Sequence, residues 1–224
     1  MRKKTQLLKI NATNQTQLKI QGKAINEVDD FTYLGSNVSK KDSTSKDIKS
    51  RIAKARNAFI KLNPIWKSNQ YSQKLKLKLY NSNVKSVLLY ASECWRVTKS
   101  DMIKLSTFHN SCLRRICRIF WPVIISNDDL YRQTHSKDII IEIKSRRLRW
   151  LGHVLRMPQD SIPETALCWT PQGQRNRGRP KTTWRRTITT ELVQANLTWS
   201  SAEMVAKDRQ EWKNLIAALC SGVG

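Results

Sequence analysis

Two pairs of adjacent aspartates are the side chains in this sequence that could hold catalytic metal ions. Asp29-Asp30 lies close to Glu27, and Asp128-Asp129 follows Ser126. Two-metal phosphoryl transfer needs clustered carboxylates. A polymerase site also needs a more distant aspartate on a neighbouring strand, and no strand-like segment supplies one. Turn and helix-capping roles are therefore favoured for both pairs, and the sequence predicts no catalytic residue.

Cysteine and histidine form no recognisable metal or nucleophile motif in this sequence. His109 and Cys112 are three residues apart, but no CxxC pair or zinc-knuckle spacing occurs. A buried cysteine on an apolar helix face is the favoured interpretation there. The five cysteines are odd in number and scattered, which predicts reduced thiols and an intracellular protein. We expect no metal and no cofactor in this chain.

The charge of the chain indicates a polyanionic partner. Among 224 residues, 41 lysines and arginines stand against 17 aspartates and glutamates, which gives a formal net charge of +24. Self-repulsion of that size destabilises a fold unless a polyanion neutralises it. RNA, DNA or an RNA/DNA hybrid is therefore the first expected partner. An anionic membrane surface is the competitor, but no apolar run approaches the roughly 20 residues that span a bilayer, and we expect no membrane partner.

A basic amphipathic helix is the first candidate interface. Five apolar residues follow one another at steps of four and three, which places them on one helical face: Ile48, Ile52, Ala55, Phe59 and Leu62. The other faces are cationic. We expect four of their side chains to line a nucleic-acid duplex: Arg51, Lys54, Arg56 and Lys61. A solvated charged face is the plainer alternative.

A second cluster combines guanidinium groups with an indole. Its members are Arg146, Arg147, Arg149 and Trp150. Arginine binds phosphate oxygens in a fork, and tryptophan can stack on a base. The cluster is predicted to lie on an outward face and to form a second nucleic-acid surface, with Trp150 in the core as the alternative.

A third cationic segment is extended and rich in glycine and proline. We expect four of its side chains to contact phosphate or a groove: Arg175, Arg177, Arg179 and Lys181. The sequence from Arg177 to Pro180 is similar to the core of minor-groove AT-hooks, in which a narrow groove accepts arginines from an extended backbone. A plain linker is the alternative.

The predicted elements give a mainly α fold with a small N-terminal antiparallel β-sheet. Alternating stretches at Gln6–Ile10, Gln17–Gln21 and Phe31–Ser36 predict strands. Amphipathic patterns predict helices for most of the rest: one runs from Ser72 to near Trp95, and two others begin at Ser126 and at Asp138. We divide the chain into a β segment at 1–38, a helical bundle at 39–125, a basic helical segment at 126–168, a Gly/Pro/Arg-rich linker at 169–183 and C-terminal helices at 184–224.

Four stretches carry a family resemblance. They are Phe31-Thr-Tyr-Leu-Gly-Ser36, Val87-Leu-Leu-Tyr-Ala-Ser-Glu-Cys-Trp95, Arg147-Leu-Arg-Trp-Leu-Gly-His-Val-Leu-Arg156 and Gly178-Arg-Pro-Lys-Thr-Thr-Trp184. In this order they resemble the C-terminal third of non-LTR retrotransposon reverse transcriptases, most closely the RTE-like endonuclease-reverse transcriptases of animals. The resemblance covers essentially the whole chain.

The resemblance implies a role for each part. Lys4 would end polymerase motif D, the strands up to Ser36 would belong to the palm and primer grip, and the helices from Ile48 would form the thumb, which holds the template-primer duplex. The family's catalytic Asp-Asp palm, fingers and endonuclease have no counterpart here. The resemblance therefore implies a nucleic-acid-binding fragment of an RNA-directed DNA polymerase that is not catalytic alone, with Mg²⁺ expected only for the full-length polymerase.

Three alternatives stay open. The chain could be part of a complete endonuclease-reverse transcriptase whose gene model is truncated, a domesticated protein-interaction module, or the remnant of a decaying element. The preference for RNA or DNA and the oligomeric state are not determined by the sequence. Charge and lineage together favour a nuclear location.

Overall fold

A computed structural model of the chain describes residues 5–9, 16–33, 35–39, 43–169 and 182–220. These residues confirm the predicted class: the fold is mainly α, with short β-ladders near the N-terminus. They form two compact units, one within residues 1–90 and 99–124, the other within 91–98 and 125–224. The five-segment division made from the sequence stays a prediction. None of the helices within the described ranges is both long and apolar enough to cross a membrane.

Within the described residues, six short strands pair two by two, whereas the sequence predicted one sheet. They are β1 (Gln6–Leu7), β2 (Lys19–Ile20), β3 (Lys23–Ala24), β4 (Asn26–Glu27), β5 (Asp30–Tyr33) and β6 (Ser36–Ser39). β1 pairs with β4 in parallel, while β2–β3 and β5–β6 are antiparallel. Gln21 and Gly22 both have positive φ angles, 50° and 76°, as the two-residue turn between β2 and β3 requires.

The first unit is built on two long helices, α1 (Ser43–Lys61) and α5 (Lys99–Ile116), with α2 (Asn63–Lys67), α3 (Gln73–Tyr80) and α4 (Ser86–Leu88) between them. Ile48, Ala55 and Phe59 are buried, as their spacing predicts. Trp66 stacks on Phe59 with ring centroids 5.1 Å apart, and its Nε1 donates to the Phe59 carbonyl at 2.8 Å. Burial of these large rings fixes α2 against α1.

The helix predicted from Ser72 to near Trp95 is interrupted. A π-helical turn, Asn81–Lys85, separates α3 from α4, and Ala91 is left-handed. Ser82 and Asn83 donate from their side chains to backbone carbonyls one turn earlier. Such local bonds compete with regular helix geometry, which accounts for the π-helical turn between α3 and α4.

The described residues of the second unit form six helices and a short 3-10 turn, Ser92–Cys94. The helices are α6 (Asn127–Thr134), α7 (Ile139–Leu155), α8 (Ile162–Cys168), α9 (Trp184–Gln194), α10 (Trp199–Lys207) and α11 (Arg209–Leu219). The predicted caps are confirmed: Ser126 accepts from Asp129 N, and Asp138 accepts from Ile140 N. The core joins α7, α9, α10 and α11 through Leu151, Leu192, Ala202 and Trp212.

Candidate nucleic-acid interface

Arg51 is a structural residue of the first unit and does not lie on the outer face of α1. Only 5% of it is exposed. Its guanidinium donates to the Gly35 carbonyl at 2.8 Å and to Ser36 Oγ at 3.1 Å, and it lies 4.3 Å from the centre of the Tyr90 ring. These contacts fix the β5–β6 turn to α1. The assignment of Arg51 to a duplex-lining surface is therefore corrected, because phosphate cannot reach a guanidinium enclosed in this way.

The other three residues predicted on α1 are exposed, but Arg56 lies on a different side of the helix from Lys54 and Lys61. Lys54 donates to the Gly35 carbonyl at 3.1 Å and so lies near the β5–β6 turn. Lys61 lies in the last turn of α1, where a cation is favourable to the helix dipole. Arg56 lies on the side of α1 that faces α5. Each stays a predicted nucleic-acid contact.

A groove between α1 and α5 brings four exposed cations together. We call it the α1–α5 groove. Its cations are Lys49 and Arg56 from α1 and Lys104 and Arg115 from α5. Its cavity volume is about 630 Å³. Among the described residues, no aspartate or glutamate lines the groove. One of its cations has an acidic partner, since Lys104 Nζ lies 4.0 Å from Asp101. The groove is therefore strongly electropositive.

The floor of the α1–α5 groove is apolar. Ile52, Phe59, Phe108 and Cys112 contribute to it. Burial raises the pKa of the Cys112 thiol to about 12, while the charges of Arg115 and Arg56 act to lower it. Both guanidinium groups therefore act on the floor of the groove from opposite helices. The cationic edges are suited to contacts with the phosphates of a nucleic-acid backbone.

Arg147 is also buried, which corrects its predicted outward position. It is 2% exposed, and its guanidinium forms two bonds to the Glu191 carboxylate, Nε to Oε2 at 3.1 Å and Nη2 to Oε1 at 2.5 Å. A further bond runs to the Trp95 carbonyl at 3.1 Å. This bidentate pair joins α7 to α9 within the second unit. Arg147 is thus enclosed and cannot offer its charge to phosphate.

The neighbours of Arg147 do not share one surface. Arg146 is half-buried and lies 3.4 Å from Glu142 one turn earlier, whereas Arg149 is exposed. Trp150 is half-buried, 5.5 Å from the His153 ring, and lines a small apolar cavity of about 230 Å³. The structure therefore separates the predicted cluster. Arg146, Arg149 and Trp150 stay predicted contacts individually.

Five predicted contacts lie outside the described residues. They are Lys4, Arg175, Arg177, Arg179 and Lys181. Their assignment stays a prediction.

One aspartate of each pair, Asp30 and Asp129, forms an ion pair with a nearby basic side chain. Asp30 accepts from Lys46 Nζ at 2.7 Å, and this bond, with one from Ser39, lowers the pKa of the Asp30 carboxyl. Asp129 pairs with Arg132 at 2.9 Å in the first turns of α6. Groups of three or more His, Cys, Asp or Glu that could hold a metal are not found in the ranges that the structure describes.

Sequence reasoning missed Lys49, Lys104 and Arg115 as members of one site. A signal was present in their spacing. Lys49 and Arg56 are seven residues apart, or about two turns, and Lys104 and Arg115 are eleven apart, or about three turns. Each pair therefore shares a helical face. Only the packing of α1 against α5 shows that the two faces meet.

Comparisons with known proteins are consistent with a mobile-element lineage. Residues 58–90, from the end of α1 to Tyr90, match a family model described as a domain of unknown function (DUF6451). A protein of Caenorhabditis elegans, described as uncharacterized and transposon-derived, is 28% identical over 203 residues, covering 86% of this chain and 71% of that protein. The similarity links the chain to transposon-derived proteins. No solved structure matches the chain.

Proposed function

We propose that the chain binds nucleic-acid duplexes by their phosphate backbones and does not catalyse polymerisation by itself. The observation that carries this proposal is the α1–α5 groove, where four exposed cations from two helices surround an apolar floor. In this proposal the helices of the first unit are thumb-like and hold a template-primer duplex.

Backbone contacts explain why the binding would be independent of sequence. Phosphate contacts fix the position of a protein on nucleic acid but carry no base information. Because Lys49, Arg56 and Arg115 are exposed, their charges can be neutralised by phosphate with little change in the protein. Each such contact releases condensed counterions, which makes the affinity depend steeply on salt.

The wider context supports the same proposal. The sequence motifs resemble the thumb and post-thumb part of non-LTR retrotransposon reverse transcriptases, and the relative from Caenorhabditis elegans is described as transposon-derived. In this proposal Mg²⁺ belongs to a catalytic palm that acts with the thumb, and no cofactor is needed for duplex binding. In this proposal the chain acts in the nucleus.

The test is a salt series of binding to a labelled RNA/DNA hybrid. The variant Lys49→Ala/Arg56→Ala/Lys104→Ala/Arg115→Ala removes the groove cations. Its slope of log K against log salt should be shallower by about 0.9 for each phosphate that the variant no longer neutralises, or about 3 to 4 in all. The decrease in affinity should be equal for unrelated duplex sequences.

The matched control removes four exposed cations elsewhere in the first unit: Lys19→Ala/Lys23→Ala/Lys74→Ala/Lys78→Ala. It loses the same formal charge, so a general field effect would flatten both slopes alike. Equal slopes for the two variants would contradict the groove as the contact surface. A nucleotide-incorporation assay in the same samples tests the second half of the proposal, and incorporation above background would contradict it.

A further inference from the structure

A second cationic cavity lies in the second unit, between α7 and α11. We call it the α7–α11 cavity. Its volume is about 840 Å³, within the range of about 300–1,000 Å³ that is typical of ligand sites. Five cations line it: Lys137, Arg149, Arg156, Arg209 and Lys213. All five are exposed, so a ligand can reach them without a change in the fold.

Acidic side chains do not offset this charge inside the cavity. Within the described residues, no aspartate or glutamate lines it. The acids that neighbour lining cations in the sequence act as helix caps: Asp138 accepts from Ile140 N at 2.8 Å, and Asp208 accepts from Gln210 N at 2.7 Å. Like charges held close together repel one another unless an anion binds between them. The cavity therefore favours an anionic ligand.

Two hydrogen bonds show that α7 and α11 run in opposite directions along the cavity. At one end, Lys137 Nζ, shortly before α7, donates to the carbonyl of Cys220 directly after α11, at 3.3 Å. At the other end, Arg156 Nη1, directly after α7, donates to the Ala206 carbonyl at 3.0 Å. α11 begins three residues later, at Arg209. Arg156 and Arg209 therefore lie toward the same end of the cavity, and Lys137 lies at the opposite end.

The cations follow one another along the two helices instead of surrounding one point. Arg149 and Arg156 are seven residues apart, which is about 10 Å of helix rise. Arg209 and Lys213 of α11 are four residues apart, which is about 6 Å. A ligand that pairs with cations at both positions must therefore carry more than one anionic group.

The cations in the middle of the cavity lie opposite each other. Trp212 Nε1 of α11 donates to the Leu148 carbonyl of α7 at 3.0 Å. Lys213 follows Trp212 in the chain, and Arg149 follows Leu148. Lys213 and Arg149 therefore lie at the same level of the cavity, and one anionic group can contact both.

A row of phosphate groups fits this arrangement. Arginine binds phosphate oxygens in a fork, and lysine binds phosphate as a point charge. The cavity contains three arginines and two lysines. A single phosphate would contact the cations of one level, whereas phosphates that follow one another can pair with cations at each level. Free oligophosphates and the backbone of nucleic acid share this chemistry.

We propose that the α7–α11 cavity binds a ligand with several phosphate groups in a row. One phosphate pairs with Arg149 and Lys213, and another pairs with Arg156 and Arg209. This site lies in the second unit and goes beyond the duplex contact proposed for the α1–α5 groove. The source of the phosphates, a free oligophosphate or a nucleic-acid backbone, is decided by the experiment.

Isothermal titration calorimetry with inorganic tripolyphosphate tests the site. Arg149→Ala/Lys213→Ala removes both cations of one level, and the affinity should fall by about tenfold or more because charge-assisted hydrogen bonds are lost. Arg149→Gln/Lys213→Gln removes the same charges with less change in side-chain size and should show the same loss. The control Arg186→Ala/Lys207→Ala removes two exposed cations of the same unit that do not line the cavity, and its affinity should be unchanged. Thermal unfolding without ligand checks that each variant is folded.

Competition with a short RNA/DNA hybrid identifies the source of the phosphates. It is measured in the α1–α5 groove variant, which lacks the duplex contact proposed above. Displacement of tripolyphosphate by the hybrid would support the site with a nucleic-acid backbone as its ligand. Retention of tripolyphosphate would support the site with a free oligophosphate as its ligand.

Three results would overturn the proposal. An equal decrease in tripolyphosphate affinity in the cavity and control variants would show a general effect of charge. Equal affinity for inorganic orthophosphate would show that a row of phosphates is not needed. Equal affinity for oligo-glutamate would show that phosphate is not the recognised group. These results would leave the α1–α5 groove untouched, because its test uses other residues.

Discussion

Trp212 of α11 lies directly on Gly152 of α7. A Cβ atom added at Gly152 would lie 2.1 Å from Trp212 Nε1, closer than any real contact of this kind. The indole is 3% exposed and donates to the Leu148 carbonyl in the same helix as Gly152. The absence of a side chain at Gly152 is therefore what lets the two helices approach each other.

Gly152→Ala should destabilise the protein because the indole or the helix must shift. Overpacking of this kind typically costs about 1–3 kcal/mol, and urea unfolding followed by tryptophan fluorescence measures it. If the clash with the indole is the cause, the same alanine should cost much less in a Trp212→Leu background. An equal cost in both backgrounds would contradict this cause.

The buried pair of Arg147 and Glu191 should be more important for folding than for binding. Glu191→Ala leaves the enclosed guanidinium without its carboxylate, which typically costs about 3–5 kcal/mol. Urea unfolding should show this decrease in stability. The control is Glu142→Ala, which removes a half-buried partner of Arg146 and should cost about 0.5 kcal/mol.

A double variant tests whether the unpaired charge is the cause of that decrease. Arg147→Met/Glu191→Leu removes both charges and should be markedly more stable than Glu191→Ala, because no buried ion is left without a partner. Equal stability of the two variants would contradict the mechanism.

Replacing Arg51 should lower stability without changing the salt slope of hybrid binding, whereas replacing Arg56 should change the slope and not the stability. Both residues lie on α1. Arg51→Ala removes the bonds to Gly35 and Ser36 and should cost about 2–4 kcal/mol, with the slope of hybrid binding against salt unchanged at a temperature where the variant is folded. Arg56→Ala should leave stability within about 0.5 kcal/mol and make the salt slope shallower by about 0.9. A shallower salt slope for Arg51→Ala would contradict this assignment and show that Arg51 contacts the nucleic acid.

The Cys112 thiol should make stability fall at alkaline pH. Its pKa is raised by burial from 9.0 to about 12, so between these values the unfolded chain loses a proton that the folded chain keeps. The contribution of the protonated thiol to stability is fully present below pH 9. Above pH 9 the free energy of unfolding falls by up to about 1.4 kcal/mol per pH unit. Urea unfolding at pH 8, 9 and 10 under reducing conditions measures this fall.

Cys112→Ala is the control for the pH dependence, since other groups also titrate in this range. The difference in stability between the wild-type protein and this variant should shrink as pH rises from 8 to 10. A difference that stays constant with pH would show that the thiol is not protected by the fold.

The local patterns of this chain predict its helices well. The steps of four and three through Ile48, Ala55 and Phe59 identified the buried face of α1, because a helix of 3.6 residues per turn places such positions together. Ser126 and Asp138 identified helix starts, since their side chains can accept from the free amides that follow. The interrupted helix near Asn83 was not foreseen, because periodicity does not show where polar side chains will bond to the backbone.

The burial of two arginines could have been inferred from the same periodicity. Arg51 lies three residues after Ile48 and four before Ala55, and Arg147 lies four after Ile143 and four before Leu151. Each therefore shares the apolar face of its helix. A buried charge in that position must have a partner. No local pattern could identify Glu191 as the partner of Arg147, because it is 44 residues away.

By itself, the sequence determined the class of fold, the faces of the long helices and the strongly cationic character of the chain, because these follow from composition and from contacts within a few residues. Tertiary structure alone decided which cations are enclosed and which are available. It placed Lys49 and Arg56 opposite Lys104 and Arg115, and it seated Trp212 on Gly152. Such relations depend on which helix faces pack together, and packing joins residues that are far apart in the chain.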